Sequence, residues 1–199
     1  MRRTTSPKVL GGIGLSALLV FGGASAANAH GWVGGEGSDL VARPAMAENT
    51  GLGNAQYDKQ SLEGEKGFPE KGPRDGELAS VNQKFGPELD EQSVTRWVKN
   101  EVHPGPVRVN WTITANHKTS EWKYFITKKG WDPNAPLTRA ELEPLATFDG
   151  GGQVASTTSE QVLNIPDDRE GYYVIYGVWD VADTPNAFYN TIDVDIHKS

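Results

Sequence analysis

The stretch Val107-Arg108-Val109-Asn110-Trp111-Thr112-Ile113-Thr114 decides the fold class. Val107, Val109, Trp111 and Ile113 alternate with polar neighbours. An alternation of period two marks a strand with one buried face. Further on, Trp122, Tyr124 and Ile126 repeat it, and Tyr172 to Trp179 is a near-continuous β-prone run. Ile192, Val194 and Ile196 then alternate with Asp193, Asp195 and His197. One short helix is predicted between these runs, opened by Thr138 with Glu141 three residues on, the spacing of a capping box. Several strands, turn signals and few helices predict a mostly β fold, a β-sandwich of immunoglobulin or fibronectin-III type.

Upstream the texture changes. From Gly31 to about Pro106 the chain is rich in Gly, Pro and charge, punctuated by Gly64, Gly67, Pro69, Gly72, Pro73 and Gly76. Such a segment predicts loops with short helical turns. It also carries Trp32, Leu52, Tyr57, Leu62, Phe68, Leu78, Phe85, Leu89 and Trp97, too much apolar material for a disordered linker. It is expected as a long loop-and-short-helix insertion near the N-terminus, decorating one end of the sandwich. Long packed loops often carry function.

The first 29 residues have a different character. Arg2, Arg3 and Lys8 precede a short apolar run that ends Ala27-Asn28-Ala29, an A-x-A cleavage pattern. The run is broken by glycines and falls short of the roughly 20 apolar residues of a membrane span. Residues 1–29 are therefore expected to be a cleaved signal peptide for the general secretory route, leaving 30–199 as one extracellular domain. The removed piece holds three of the 19 Lys and Arg and none of the 26 Asp and Glu, so the mature chain is more acidic than the formal −7 of the whole. That balance disfavours nucleic acid and anionic membrane as partners. Cysteine is absent. This excludes thiol catalysis, thiolate zinc sites, iron–sulfur clusters and blue copper, and leaves His, carboxylate or backbone as metal donors.

Four histidines exist: His30, His103, His117 and His197. Cleavage after Ala29 makes His30 the first residue, where one residue offers both an α-amine and an imidazole. With a second histidine from a strand end, this gives three nitrogen donors, a set that suits copper(II). Taken alone, His117 reads equally as a surface histidine, and His103 and His197 read as exposed and inert. No G-x-S-x-G elbow, H-E-x-x-H pattern or P-loop occurs. Paired carboxylates for glycoside hydrolysis stay open, because nothing selects one pair among the 26 acidic residues.

Five segments add a family resemblance: H-G-W-V at 30–33, Q-Y-D-K-Q-S-L-E-G at 56–64, K-G-F-P-E-K-G-P-R-D-G at 66–76, T-A-N-H-K-T-S-E-W-K-Y-F-I-T-K-K-G-W-D-P at 114–133 and V-W-D-V-A-D-T-P-N-A-F-Y-N-T-I-D-V at 178–194. In this order, over nearly the whole mature chain, they resemble the bacterial chitin-active lytic polysaccharide monooxygenases of auxiliary activity family ten. The resemblance implies one copper per chain in a histidine brace made by His30, through amine and ring, and His117. It implies that Phe188 blocks an axial position, that Ala115 packs beside the metal, and that Glu63 orients the oxygen co-substrate. Tyr57, Asp58, Asp183 and Asn186 are implied as substrate contacts, with Glu63 beside them. The chain departs from the family at Asp58, where relatives usually carry Glu, at Lys59 in place of a frequent Pro, and in lacking disulfides.

The implied activity is C1 hydroxylation of crystalline chitin by a monomer, with O₂ or H₂O₂ as co-substrate and an external electron donor. Two other classes remain as alternatives: a non-catalytic chitin-binding or adhesion module, and a hydrolase. The same oxidative chemistry on cellulose is a variant of the main reading.

Overall fold

The computed structural model describes Met1 and residues 29–156 and 161–198. The signal-peptide expectation lies outside the described residues, apart from Met1 and Ala29. Among the described residues ten strands run in order: β1 (His30–Val33), β2 (Glu63–Glu65), β3 (Asn100–Val102), β4 (Gly105–Val109), β5 (Trp111–Ala115), β6 (Thr119–Thr127), β7 (Leu142–Asp149), β8 (Gln161–Ile165), β9 (Gly171–Val181) and β10 (Asn186–Ile196). The fold is mostly β, an immunoglobulin-like sandwich. Among the described residues every helical segment is a single 3₁₀ turn, and none is long and apolar enough to cross a membrane.

One layer is a six-stranded sheet in the order β2-β10-β9-β6-β7, with β3 lying parallel against the far end of β10. Facing it are two short antiparallel pairs, β1 with β5 and β4 with β8. Between the layers sit Val33, Val107, Val109, Trp111, Trp122, Tyr124, Trp179, Phe188, Ile192 and Val194. Trp111 Nε1–H donates to the Tyr124 hydroxyl at 2.8 Å, and that hydroxyl donates to Gln161 at 2.6 Å, so the buried polar tips are satisfied.

The predicted strand over 107–114 is two strands. The chain breaks at Asn110, whose amide is held by Ser38 Oγ at 3.1 Å and whose carbonyl accepts from Gly34 at 2.9 Å. Before the break β4 pairs β8, and after it β5 turns to β1. The alternation continues across the break because both halves bury the same side. The helix predicted at Thr138 is a single turn, Arg139–Glu141, and the Glu141 carboxylate accepts from the Thr138 amide at 3.1 Å.

The insertion does more than decorate an end. Leu52, Ala55, Leu62, Phe68, Leu78, Val81, Leu89 and Trp97 form a second core against Phe125, Val174, Tyr176, Val178 and Tyr189 on the outer face of the large sheet. Both faces of β9 and β10 are thus covered, which explains the unbroken apolar run of Tyr172–Trp179.

Candidate functional site

β1 and β5 pair antiparallel, with His30 opposite Ala115 and the register shifting between His30 and Gly31. His117 lies two residues past Ala115, at the β5 end, so both histidines stand at one end of the sandwich. The strands approach closely there. A Cβ on Gly31 would lie 3.0 Å from the Thr112 carbonyl and 3.0 Å from Ile113 Cδ1, so a side chain next to His30 would make these neighbours give way.

His117 is buried, and its carbonyl accepts from the Ala155 amide at 2.8 Å. Its Nδ1–H donates to Asp183 Oδ1 at 3.0 Å, which leaves Nε2 as the ring's lone-pair donor. A histidine whose other nitrogen is held by a carboxylate is the usual arrangement of a metal ligand. Partial burial works to raise the Asp183 carboxyl. The hydrogen bond from His117, with backbone hydrogen bonds from Asp183 and Lys118, outweighs it and holds the group below its ordinary value.

Asp183 sits in the short loop between β9 and β10. That loop is pinned from both sides. Ala182 N donates to the Lys118 carbonyl at 2.7 Å, and Lys66 Nζ donates to the carbonyls of Val181 and Thr184 at 2.9 and 2.6 Å.

β10 carries the second half of the cluster. Phe188 is buried facing the β1 layer, its ring 5.1 Å from that of Trp179. β2 is short and pairs the start of β10, so Glu63 stands opposite Phe188 and Glu65 opposite Asn186. The Glu63 carboxylate accepts from Asn186 Nδ2 at 3.2 Å and from Lys84 Nζ at 3.0 Å. The β1 layer is tied to β10 by the Val33 amide, which donates to Asn190 Oδ1 at 2.7 Å. His30, Ala115, His117, Asp183, Asn186, Phe188 and Glu63 therefore belong to one end of the molecule.

Tyr57 and Asp58 precede β2 in the insertion. Tyr57 is 79% exposed, an aromatic ring left open to water. Asp58 Oδ1 accepts from Ser61 Oγ at 2.7 Å, so one oxygen of this carboxylate already serves its own turn. The same turn is fixed to β1 by Lys59, whose Nζ lies 4.9 Å from the Trp32 ring centroid, a cation–π contact.

His103 and His197 lie at the opposite end of β10. Both are exposed, as expected. The His103 Nδ1–H donates to the His197 carbonyl at 2.6 Å, and the His197 ring meets Glu101, tying the chain's end to β3. Lys84 and its contact with Glu63 were not found from the sequence. A lysine in a loop has no periodicity to expose it.

A family model described as "Lytic polysaccharide mono-oxygenase, cellulose-degrading" matches residues 27–194. The lytic chitin monooxygenase of Enterococcus faecalis is 42% identical over 92% of this chain and 95% of its own length. The catalytic domain of the Listeria monocytogenes LPMO Lmo2467 superposes with a TM-score of 0.79 at 53% identity, covering 84% of this chain and 99% of that one. A Bacillus amyloliquefaciens CBM33 protein, solved in complex with Cu(I), gives a TM-score of 0.78 at 41% identity over 84% of this chain and 100% of that one. The chain spans 30% to 39% of the length of the Vibrio relatives described as GlcNAc-binding protein A.

Proposed function

Because the chain belongs to the auxiliary activity family ten lytic polysaccharide mono-oxygenases, we propose that it is a secreted copper enzyme that cuts crystalline chitin by oxidation at C1. The observation that carries this reading is the β1–β5 register. It sets His30 against Ala115, with His117 just beyond and its ring already oriented by Asp183.

The donor set fits copper. Two imidazoles and one amine are nitrogen ligands, and no thiolate competes with them. Ala29, buried at 2% exposure, directly precedes His30, so cleavage after it frees the His30 amine. Residues 30–199 are then the mature domain. Bound copper supplies the one-electron chemistry by which O₂ or H₂O₂ hydroxylates an unactivated C–H bond. With O₂, the balance takes two electrons and two protons from an external reductant. One oxygen enters the sugar and the other leaves as water. Hydroxylation at C1 lets that carbon expel the glycosidic oxygen, giving a lactone and then an aldonic acid.

The chain's residues position and exclude. His30 and His117 hold the ion, and Asp183 keeps the His117 tautomer that presents Nε2. Phe188 and Ala115 would offer carbon rather than a further donor beside the metal. Glu63 orients the co-substrate from β2. Tyr57 offers a ring face to a sugar, while Asp58, Asp183 and Asn186 offer polar atoms to hydroxyl and acetamide groups. A monomer suffices, since every one of these residues comes from one chain.

β-Chitin incubated with the mature copper protein and ascorbate should release oligosaccharides carrying aldonic acid ends, read by mass spectrometry. Products with ordinary reducing ends formed without reductant would point to a hydrolase. Binding to chitin with no product would point to a binding module, and oxidised products from cellulose alone would change the substrate.

Tyr57→Ala should weaken chitin binding by about two- to thirteenfold, since one exposed aromatic contact contributes roughly 0.5–1.5 kcal/mol. Its turnover should fall only through shorter residence on the surface, and saturating chitin should restore much of it. A pull-down isotherm equal to the parent's would remove Tyr57 from the contact surface.

A further inference from the structure

Glu63 is held at both oxygens: Asn186 Nδ2 donates to Oε2 at 3.2 Å and Lys84 Nζ to Oε1 at 3.0 Å. Asn186 belongs to the strand that pairs β2. Lys84 comes from elsewhere in the insertion, at the end of an unusual backbone. Val81, Asn82 and Gln83 all take left-handed conformations, with φ of 56°, 59° and 58°. Non-glycine residues rarely do this, and a β-branched valine least of all. Each such residue is strained, and strain of this kind persists only where surrounding structure imposes it.

The surroundings do impose it. Val81 is buried under β2, close enough that a Cβ on Gly64 would come within 2.9 Å of its Cγ1. Gly64 follows Glu63 directly, so the bare backbone there lets the turn lie against the strand. The Asn82 amide donates to the Glu77 carbonyl at 3.1 Å, and its side-chain oxygen accepts from the Arg74 amide at 2.8 Å. Ser80 Oγ accepts from the Gln83 amide at 2.8 Å, and the Lys84 amide donates to the Ser80 carbonyl at 3.1 Å. The outcome of this reversal is that Lys84 emerges pointed at Glu63.

An ordinary surface ion pair stabilises a protein little and needs no such support. This pair differs in setting. The Lys84 side chain is 29% exposed and that of Glu63 is 19% exposed. The carboxylate is also fixed by a second donor on its other oxygen, which leaves it one orientation.

We propose that Lys84 is a positioning residue: with Asn186 it clamps the Glu63 carboxylate in a single orientation at the metal end of the sandwich. This rests on the reading of Glu63 as the carboxylate beside the copper. Lys84 touches neither the ion nor the sugar; it acts through Glu63. The left-handed turn is the device that delivers it, which gives the strain at Val81–Gln83 a function.

The experiment compares Lys84→Met, Lys84→Arg, Glu63→Gln and the Lys84→Met/Glu63→Gln double variant. In metal-free protein, the side-chain amide resonances of Asn186 should shift and broaden in Lys84→Met and return toward the parent in Lys84→Arg. Copper affinity and chitin binding should stay at parental values in Lys84→Met, while oxidised product formation falls by about three- to tenfold. Lys84→Met should add nothing to the loss in Glu63→Gln, because residues acting through one contact are not additive. Unchanged Asn186 resonances, or losses that multiply in the double variant, would overturn the clamp while leaving the functional reading in place. A parent that makes no oxidised product overturns the functional reading and the role of Lys84 with it.

Discussion

Asp193→Ala should lower the unfolding free energy by about 3–5 kcal/mol, the cost of removing one partner from a buried ion pair. Asp193 is 1% exposed and Arg43 2%. The guanidinium meets the carboxylate at two points, Nε to Oδ2 at 2.9 Å and Nη2 to Oδ1 at 2.7 Å. Its remaining donors reach the Leu89 carbonyl at 2.6 Å and Gln92 Oε1 at 3.0 Å. Tyr172 adds its hydroxyl to Asp193 at 2.7 Å, and Trp97 lies under the guanidinium at 4.7 Å. Burial works against the charged guanidinium, but the Asp193 carboxylate overcomes it and raises the Arg43 pKa. Without that carboxylate the buried cation loses its hydrogen-bonded counter-charge and keeps only the electrostatic influence of Asp90. For a domain of this size the loss should appear as a melting shift of roughly 6–20 °C. The double variant Arg43→Met/Asp193→Leu should recover much of the loss, since an apolar pair of similar volume is often neutral. A denaturant midpoint for Asp193→Ala within about 1 kcal/mol of the parent would show the network to be dispensable.

That network also marks the limit of what the sequence reveals. The alternation Ile192-Asp193-Val194 correctly places the two apolar residues in the core, and in a sandwich with one solvated face it would send Asp193 to water. The insertion covers that face, so Asp193 is buried and paired with Arg43 from the insertion. Alternation reports which residues share a side, not what lies over that side. The insertion has no period because its residues bury one at a time from 3₁₀ turns, and its apolar count alone indicated that it packs. The break at Asn110 was hidden for a related reason, since two strands in phase read as one. Tyr172–Trp179 was the better clue, because a strand apolar on both faces needs a cover on each.

The site divides in the same way. His30 stood out in the sequence because a cleavage motif precedes it, whereas His117, on its own equally a surface histidine, became a candidate through the resemblance. Glu63, Phe188, Ala115, Tyr57, Asp58, Asp183 and Asn186 entered as candidates only through resemblance, and the structure sets most of them at one end of the sandwich. The contact of Asp183 with His117 is set by the β9–β10 loop pairing back to Lys118, a tertiary contact that no local pattern encodes.

His117→Ala should cost more than about 100-fold in Cu(II) affinity, beyond the 10–100-fold that loss of a mere supporting contact costs at metal sites. The structure gives the reason for expecting a graded series. His117 would supply one of three nitrogens, and the side chains beside it that could take its place, Asp183 and Glu63, are carboxylates, which suit copper less well than an imidazole. Asp183→Asn should fall in the milder range, because the ring remains but loses the carboxylate that fixes its tautomer. An extra residue retained before His30 should act like the loss of a ligand, since the nitrogen of His30 then becomes a peptide amide that cannot donate a lone pair. It would also refill the buried position that Ala29 occupies. Titration calorimetry of these variants against the mature protein ranks the three. His117→Ala or the extended form binding copper as tightly as the parent would show that the ion is held elsewhere. In Asp183→Asn, affinity equal to the parent's would show that the hydrogen bond orients the loop and not the ligand.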